Sequence, residues 1–261
     1  MNELTKQREQ LEMCDEIIID ALKMRYQIVQ GITAYKQAHD LDIVQPEEEA
    51  RKMAIIEERL KDFQYKKSVI KVYESILYRS KRIQSKEIFN KNIFLIGFMG
   101  VGKSTISKAL HDIFAMDVVE MDQIIAQQNG MSISEIFETY GEEYFRQEET
   151  NLLIASQSKT NMIFSCGGGV PMREQNVKEM RKSGKIVLLT AKPETILERV
   201  KNSHDRPLLE NNKTVSYVSQ LMEQRRPKYQ AAADIVIETD GRSTFEICED
   251  IIRQCSKNKE S

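Results

Sequence analysis

A glycine-rich segment near the middle of the chain has the composition of a phosphate-binding loop. It reads GFMGVGKST from Gly97 to Thr105, fits the pattern GxxxxGK[ST], and directly follows the apolar run IFLI. In such a loop the glycines let backbone N–H groups face a β-phosphate, Lys103 neutralises the β and γ oxygens, and Ser104 offers a hydroxyl to Mg²⁺. The predicted chemistry is therefore nucleotide binding and phosphoryl transfer, with the acceptor left open.

Charged residues downstream of this loop are candidates for holding an acceptor. Asp122 follows the apolar run DVVEM at the end of a predicted strand, where ligands of open α/β sheets bind. Its carboxylate could accept a hydroxyl proton and orient that oxygen toward the γ-phosphate, and the alternative is a helix N-cap for QIIAQQ. Arg146 and Glu149 are three residues apart, so a helix would place them on one face, either as a carboxylate clamp or as a surface ion pair.

Further candidates are a glycine run and two arginines near prolines. Gly167 to Gly169 follow the run MIFSC, and their bare backbone permits close approach of a ligand, although a plain turn fits equally well. Arg206 precedes Pro207 in a polar stretch that predicts a mobile lid, able to bring a cation onto the phosphoryl group as water is excluded. Arg225 lies in the segment QRRPKY. Simple solvent exposure is the alternative for either arginine.

Taken in order, the motifs GFMGVGKST, EMD, GEEYFRQEE, CGGG, RPLL and QRRPKY make the segment from Asn92 to about Cys255 resemble shikimate kinase along its length. The resemblance implies ATP-dependent phosphorylation of the shikimate 3-hydroxyl, with ATP and Mg²⁺ as cofactors. It also implies a fold like that of the nucleoside monophosphate kinases. Gluconate kinase, a relative that acts on another polyol acid, is the nearest alternative, and the set of arginines favours shikimate.

The resemblance also assigns roles to single residues. Asp122 contacts the shikimate hydroxyls as the candidate base, and Arg146 and Arg225 hold the shikimate carboxylate. Arg206 is the lid arginine, and Arg199 stacks on adenine. Glu120 stands where the family commonly has an aspartate near Mg²⁺, and it retains the carboxylate. The implied nucleotide and metal ligands are Gly100, Val101, Gly102, Lys103, Ser104, Thr105 and Glu120, and Gly167, Gly168 and Gly169 line the shikimate site.

The N-terminal third of the chain carries cations on an apolar helical face. Arg25 and Lys36 are eleven residues apart, which at about 100° per residue leaves them within about 20° of each other, beside Val29 and Ile32. Cations on an apolar face are expensive unless an anion binds there, although long stems can also reach past a core to water. Arg8 lies about 100° around the helix, so it would serve a partner chain's pocket more easily than its own.

From Leu4 to Glu87 the chain resembles the all-helical chorismate mutases. The resemblance rests on the spacing of Arg8, Asp15, Arg25, Lys36, Glu49 and Gln84. It implies that chorismate is rearranged to prephenate in an intertwined homodimer. The implied roles are that Arg25 and a partner's Arg8 clamp the carboxylates, Lys36 and Gln84 address the ether oxygen, and Glu49 accepts from the ring hydroxyl.

Two positions depart from the mutase pattern. Glu48 stands where the family usually has an arginine, and Gln45 where it usually has an aspartate. A carboxylate facing a dianion weakens binding, and Arg51, one turn later, is a candidate for restoring the charge. The alternative to a mutase is therefore a catalytically weak module that dimerises the chain or senses a ligand.

Two kinds of element must position these residues. Apolar residues at helical spacing predict a first helix from Leu4 to about Ala38, about 50 Å long, and two shorter helices that begin near Pro46 and after Tyr65. Two short helices cannot cover the first, so it should pair with a second copy of itself. From Ile93 onward, short apolar runs alternate with helical patterns, which predicts an α/β domain with a five-stranded parallel sheet. The predicted boundaries are 1–88 and 92–255, with a disordered tail at 256–261.

Composition excludes several classes of protein. The formal charge is −2 and both signs are interspersed, which argues against an extended nucleic-acid surface. Four scattered cysteines without CxxC spacing suggest neither a zinc site nor a disulfide framework. No apolar run approaches the ~18 residues that a bilayer requires, so neither a signal peptide nor a membrane span is predicted. A cytoplasmic protein with reduced thiols is expected.

Overall fold

A computed structural model describes residues 2–39, 41, 45–200 and 214–257. The chain divides into two compact units, Met1–Ile88 and Phe89–Ser261. The predicted lid arginine, Arg206, lies outside the described residues. None of the helices within the described ranges is both long and apolar enough to cross a bilayer.

Three helices make up the described part of the first unit: α1 (Glu3–Ala38), α2 (Pro46–Arg59) and α3 (Lys66–Ile88). The Asn2 side chain caps α1 by accepting the Leu4 N–H at 2.6 Å. Pro46 opens α2 with its preset φ and is followed by three glutamates, which suit the positive end of the helix dipole. The helical fold predicted for this region is confirmed.

The helix α3 connects the other two helices of this unit. The guanidinium of Arg25 on α1 donates to the Ser80 hydroxyl on α3, and the Gln30 side chain donates to Glu87 at 3.1 Å. Because both partners advance together along the sequence, α1 and α3 run parallel. The helix α3 also contacts α2, through the ion pair between Lys81 and Glu49. The seam between the three helices therefore lies along α3.

Apolar side chains along much of α1 are exposed in the single chain. The exposed set comprises Leu4, Leu11, Met13, Ile17, Ile18, Ile19, Met24 and Ile28, each at least half exposed. By contrast Val29, near the level of α3, is only 8% exposed. Neither α2 nor α3 covers the N-terminal part of this helix.

The second unit is a parallel sheet with helices on its faces. Its five strands lie in the order β2-β3-β1-β4-β5, all parallel. The elements in chain order are β1 (Asn92–Ile96), α4 (Lys103–Phe114), β2 (Asp117–Glu120), α5 (Met121–Asn129), α6 (Ile133–Ala155), β3 (Met162–Ser165), a 3₁₀ turn (Val170–Met172), α7 (Glu174–Ser183), β4 (Gly184–Thr190), α8 (Pro193–Val200), α9 (Val215–Ala232), β5 (Ile235–Glu238) and α10 (Thr244–Lys257). The predicted five-stranded parallel sheet is confirmed.

The strand β1 is the centre of this sheet and of its core. All five of its residues are buried, and it pairs with β3 on one side and β4 on the other. Phe94 of β1 and Phe164 of β3 stack with ring centroids 4.7 Å apart. Since the chain order reverses at β1, its carboxyl end forms the crevice where ligands of such sheets bind. The phosphate-loop sequence begins at this end.

Two helix details bear on the predictions. The helix α6 is kinked at Gly141 (φ 81°, ψ 167°), a conformation that favours glycine, and the part beyond the kink carries Arg146. The last helix continues to Lys257, so Ser256 and Lys257 are helical although the tail was predicted to be disordered from residue 256. The Ser256 hydroxyl bonds the Ile252 carbonyl at 2.7 Å, which extends the last turn.

Candidate active sites

The phosphate loop joins β1 to α4 with three glycines at positive φ. Gly102, at φ 106°, is the N-cap of α4, so the first N–H groups of that helix face the crevice. Gly100 has φ 79°, and a Cβ there would lie 2.6 Å from the Val200 side chain. The loop therefore requires glycine for both its conformation and its packing. The Lys103 ammonium donates to the Gly97 carbonyl at 2.9 Å and the Phe98 carbonyl at 3.2 Å, which folds it back over the loop.

A carboxylate and two hydroxyls lie together beside this loop. Glu120, the last residue of β2, accepts from the Ser104 hydroxyl at 3.1 Å and from the Ser107 hydroxyl at 2.6 Å. A hydroxyl next to a carboxylate matches the oxygen donors that Mg²⁺ uses together with substrate phosphates. These residues therefore fit the expected metal, with Ser104 placed closer to the loop than Glu120.

Asp122 is an exposed carboxylate in the first turn of α5. It is not the N-cap of that helix, because Glu120 occupies the cap position. A Cβ added to Gly167 would lie 2.7 Å from an Asp122 oxygen and 2.8 Å from a Glu149 oxygen. The two carboxylates therefore face the glycine run from two different helices. Only a bare backbone fits between them.

Arg146 is held by two glutamates on its own helix. It donates to both oxygens of Glu149 at 3.0 and 3.1 Å and to Glu142 at 2.7 and 3.1 Å. The guanidinium also lies 5.5 Å from the centre of the Phe145 ring. Its position requires glycine at 169, because a Cβ there would collide with it. The spacing of three residues predicted the pair with Glu149, and Glu142 was missed.

Glu149 is fully buried beneath this arginine. Burial raises the pKa of Glu149 to about 7, and the Asp122 carboxylate raises it further, while the Arg146 guanidinium opposes the rise. The carboxyl is thus poised to change its protonation near neutral pH.

Arg225 reaches the same glycine run from α9. Its guanidinium lies 5.9 Å from the centre of the Phe98 ring, and a Cβ on Gly168 would lie 3.4 Å from one of its nitrogens. One turn later on α9, the Tyr229 hydroxyl donates to the Gly168 carbonyl at 2.8 Å and is buried. Tyr229 was read only as part of the segment QRRPKY. Its contact shows that it fixes the glycine run against α9.

Arg199 lies against the phosphate loop. It donates to the Val101 carbonyl at 3.0 Å and to the Thr239 hydroxyl at 3.3 Å, so it connects α8, the phosphate loop and the end of β5. This position is compatible with a contact to the base of a nucleotide.

A buried polar chain connects the arginine helix to the glycine run. The Asn176 side chain on α7, with no exposed surface, donates to the Val170 carbonyl at 3.0 Å. Its oxygen lies 2.7 Å from the Thr150 hydroxyl, and that hydroxyl is 3.1 Å from the Arg146 carbonyl. Sequence reasoning missed these residues, since neither belongs to a recognisable motif. The chain fixes the distance between α6 and the turn that follows the glycines.

In the helical unit, α3 brings together groups from α1 and α2. Arg25 contacts Ser80, and Glu49 forms an ion pair with Lys81 at 2.7 Å. Gln84 is half-buried one turn further along α3. Ser80 and Lys81 were missed because no motif marks them.

The other predicted residues of this unit lie elsewhere on α1 and α2. Arg8 is exposed near the start of α1, far along the helix from Arg25. Lys36 is half-buried in its last turn. Glu48 is bound by Arg51 through two bonds of 2.7 and 2.8 Å, with Lys52 at 3.8 Å. These cations lower the pKa of Glu48, Arg51 contributing most. Arg51 therefore neutralises Glu48.

Comparison with known proteins matches both units. The model of the chorismate mutase type II family matches residues 7–85, and the model of the shikimate kinase family matches residues 99–256. A shikimate kinase of Caldanaerobacter subterraneus is 38% identical over 161 residues, which is 62% of this chain and 94% of the relative. One of Dehalococcoides mccartyi is 42% identical over 153 residues, covering 59% and 86%.

A solved structure shows the same kinase architecture. The shikimate kinase of Acinetobacter baumannii, determined in complex with shikimate, superposes with a TM-score of 0.62 at 29% identity. The match covers 68% of this chain and 99% of that one. The chain therefore belongs to the shikimate kinase family and carries a chorismate mutase domain ahead of its kinase domain.

Proposed function

We propose that the chain phosphorylates the 3-hydroxyl of shikimate with ATP and that its helical domain rearranges chorismate to prephenate. The kinase assignment rests on one observation. Each glycine of the run 167–169 faces a different candidate substrate group: Asp122, Arg225 and Arg146 in turn. Two guanidiniums and a carboxylate around a bare backbone suit an acid that also carries hydroxyls.

The proposed kinase mechanism divides the work among these groups. Arg146 and Arg225 bind the shikimate carboxylate, and the glutamates that hold Arg146 keep its guanidinium oriented. Asp122 accepts the proton of the attacking hydroxyl and points that oxygen at the γ-phosphate of ATP. Lys103 exchanges its contacts with the loop carbonyls for the β and γ oxygens of the bound nucleotide.

Ser104 and Glu120 are the groups that would hold Mg²⁺, with Ser104 as a direct ligand. When bound, the ion would neutralise negative charge on the phosphates of the nucleotide. Arg199 would contact the adenine, as its place beside the loop and Thr239 allows.

The proposed mutase reaction needs no nucleophile. The site must bind a dianion in a compact conformation and stabilise charge on the breaking ether oxygen. Arg25 serves a carboxylate, Lys36 and Gln84 serve the ether oxygen, and Glu49 accepts from the ring hydroxyl.

A second copy of the chain completes this site in the proposal. The exposed apolar residues of α1 support a homodimer, because so many large apolar side chains on one solvent-exposed helix favour a partner. Arg8 on the partner's α1 would then supply the second carboxylate clamp. The four cysteines are free thiols, which supports a reducing, cytoplasmic setting.

An acceptor screen tests the kinase assignment. ADP release from ATP and Mg²⁺ should depend on shikimate, and Lys103→Ala should abolish it while circular dichroism stays unchanged. Gluconate, run beside shikimate, should be a poor acceptor. Equal rates with the two acids would refute the shikimate assignment in favour of a broader polyol-acid kinase.

A ligand-sensing module is the second candidate function of the helical domain, because Glu48 stands where the family usually has an arginine. A prephenate assay distinguishes a mutase from such a sensor. The wild type should form prephenate, and Lys36→Ala should lose at least about a hundredfold in kcat/KM because the ether oxygen loses its cation. Chorismate binding without turnover in the wild type would instead identify a sensor.

A further inference from the structure

Lys81 lies in the middle of the candidate mutase site. Its ammonium is 2.7 Å from a Glu49 oxygen, and its side chain is 23% exposed. Its chain neighbour, Ser80, contacts Arg25 and is almost fully buried. Lys81 therefore lies between Glu49 and the contact of Ser80 with Arg25, and the proposed mutase reaction gives roles to both Glu49 and Arg25.

The helical period puts Lys81 on the substrate-facing side of α3. At about 100° per residue, Gln84 lies about 40° from Ser80 and about 60° from Lys81, one turn further along. Ser80 faces α1 and Lys81 faces α2, so the three residues span the strip of α3 that looks into the seam. A ligand that meets Arg25, Gln84 and Glu49 must pass within reach of the Lys81 ammonium.

The candidate mutase site lacks a cation that its family usually has, and Lys81 can supply that charge. Glu48 occupies the place of a family arginine, and the guanidinium of Arg51 is engaged by Glu48 on a largely exposed face, at 62% exposure for the arginine side chain. Arg51 therefore cannot replace the missing cation without releasing Glu48. Lys81 pairs with Glu49 of α2, and its side chain is far less exposed than that of Arg51.

We propose that Lys81 is a substrate-binding residue of the mutase site, its ammonium contacting a carboxylate of chorismate in place of the arginine that Glu48 replaces. This inference rests on the proposed mutase function. In the empty site the ammonium stays on Glu49, and with chorismate bound it bridges Glu49 and the substrate. A lysine has three donors, so both contacts are possible at once.

Substitution of Lys81 tests the inference in the full-length chain. Lys81→Met keeps the stem and removes the charge, and it should raise the KM for chorismate and the Kd measured by calorimetry about tenfold or more. Lys81→Arg should stay within about threefold, because it restores the cation. The control is Lys61→Met, which removes a lysine also paired with a glutamate, Glu58 at 3.6 Å, but with a side chain 68% exposed. The control should leave both constants unchanged.

A double-mutant cycle separates a direct contact from an effect through Glu49. If Lys81 only positions Glu49, then Lys81→Met adds nothing in a Glu49→Gln background, and the proposed contact is wrong. A further rise in Kd in that background supports it. Unchanged constants for Lys81→Met in an active wild type would overturn the inference alone. A wild type that neither binds nor converts chorismate would overturn the mutase function and the inference together.

Discussion

At the scale of single residues, Asp122 is placed to act as the base of the kinase. It is exposed, and its carboxylate lies against the bare backbone of Gly167. Asp122→Asn keeps the shape of the side chain but removes the proton acceptor. We predict that kcat for shikimate phosphorylation falls by about a hundredfold or more, with shikimate affinity nearly kept. Steady-state kinetics measures the fall in kcat, and calorimetry measures the shikimate affinity.

The matched control is Asp62→Asn, which changes an exposed aspartate of the helical domain. It should leave kinase turnover unchanged. If Asp122→Asn turned over at near wild-type rate, the carboxylate would only orient the hydroxyl, and the proton would leave by another route.

The buried carboxyl of Glu149 gives a second prediction, which concerns how the free energy of unfolding depends on pH. Because burial raises its pKa to about 7 in the folded chain, against 4.5 for the ordinary side chain, folding favours the protonated form. Its stabilising effect is complete below about pH 4.5 and is lost as the pH rises through about 7. Relative to Glu149→Gln, the free energy of unfolding of the wild type should fall by about 3 kcal/mol over that window. Urea unfolding of both proteins at a series of pH values measures the difference.

Glu138→Gln, an exposed change on the same helix, should show no such pH dependence. A difference between wild type and Glu149→Gln that instead grew with pH would mean that Arg146 holds Glu149 ionised in the folded chain and that its pKa is lowered.

At the scale of elements, the buried polar chain from Thr150 on α6 through Asn176 on α7 to Val170 sets the geometry of the proposed shikimate site. Asn176→Leu removes the bond to the Val170 carbonyl and the partner of Thr150, so α6 and the glycine turn lose their common anchor. We predict a KM for shikimate about tenfold higher, an almost unchanged KM for ATP, and a stability loss of about 1–3 kcal/mol. The split between the two KM values is the diagnostic measurement.

Asn151→Leu provides the control, since the Asn151 side chain bonds Gln147 and Glu148 on its own helix and not the glycine turn. It should change neither KM. Equal rises in both KM values for Asn176→Leu would point to general loosening of the domain instead of displacement of Arg146.

Sequence alone predicted those features that one element determines by itself. The start of α2 follows from Pro46, and the pairing of Arg146 with Glu149 follows from the helical period. Contacts between elements were not predictable in this way. The bonds from Tyr229 to Gly168 and from Lys81 to Glu49 depend on which faces meet, and a period fixes only the angle on its own helix.

At the scale of the whole molecule, the exposed apolar residues of α1 are the observation behind the proposed dimer. At about 1.5 Å per residue, a helix of 36 residues extends about 54 Å, and α3 covers only its later part. Its remaining apolar surface, from Leu4 to Ile28, is typical of an interface and not of a surface in water. A symmetric pair would bring Arg8 of each chain toward the other chain's Arg25.

Mixed dimers test whether each mutase site draws on two chains. Arg8→Ala and Lys36→Ala should each be nearly inactive alone, but in a shared site a mixed dimer keeps one intact copy of the two. Random pairing of equal amounts makes half of the dimers mixed, so about one quarter of wild-type mutase activity should return after co-expression. The matched control pairs Lys36→Ala with Gln84→Ala. In the proposal each site takes both of these residues from one chain, so no mixed dimer has an intact site. Kinase activity should persist in every combination. Failure of the first pair to recover activity, with mixed dimers isolated by two affinity tags, would mean that Arg8 serves the site of its own chain and that the site is not shared.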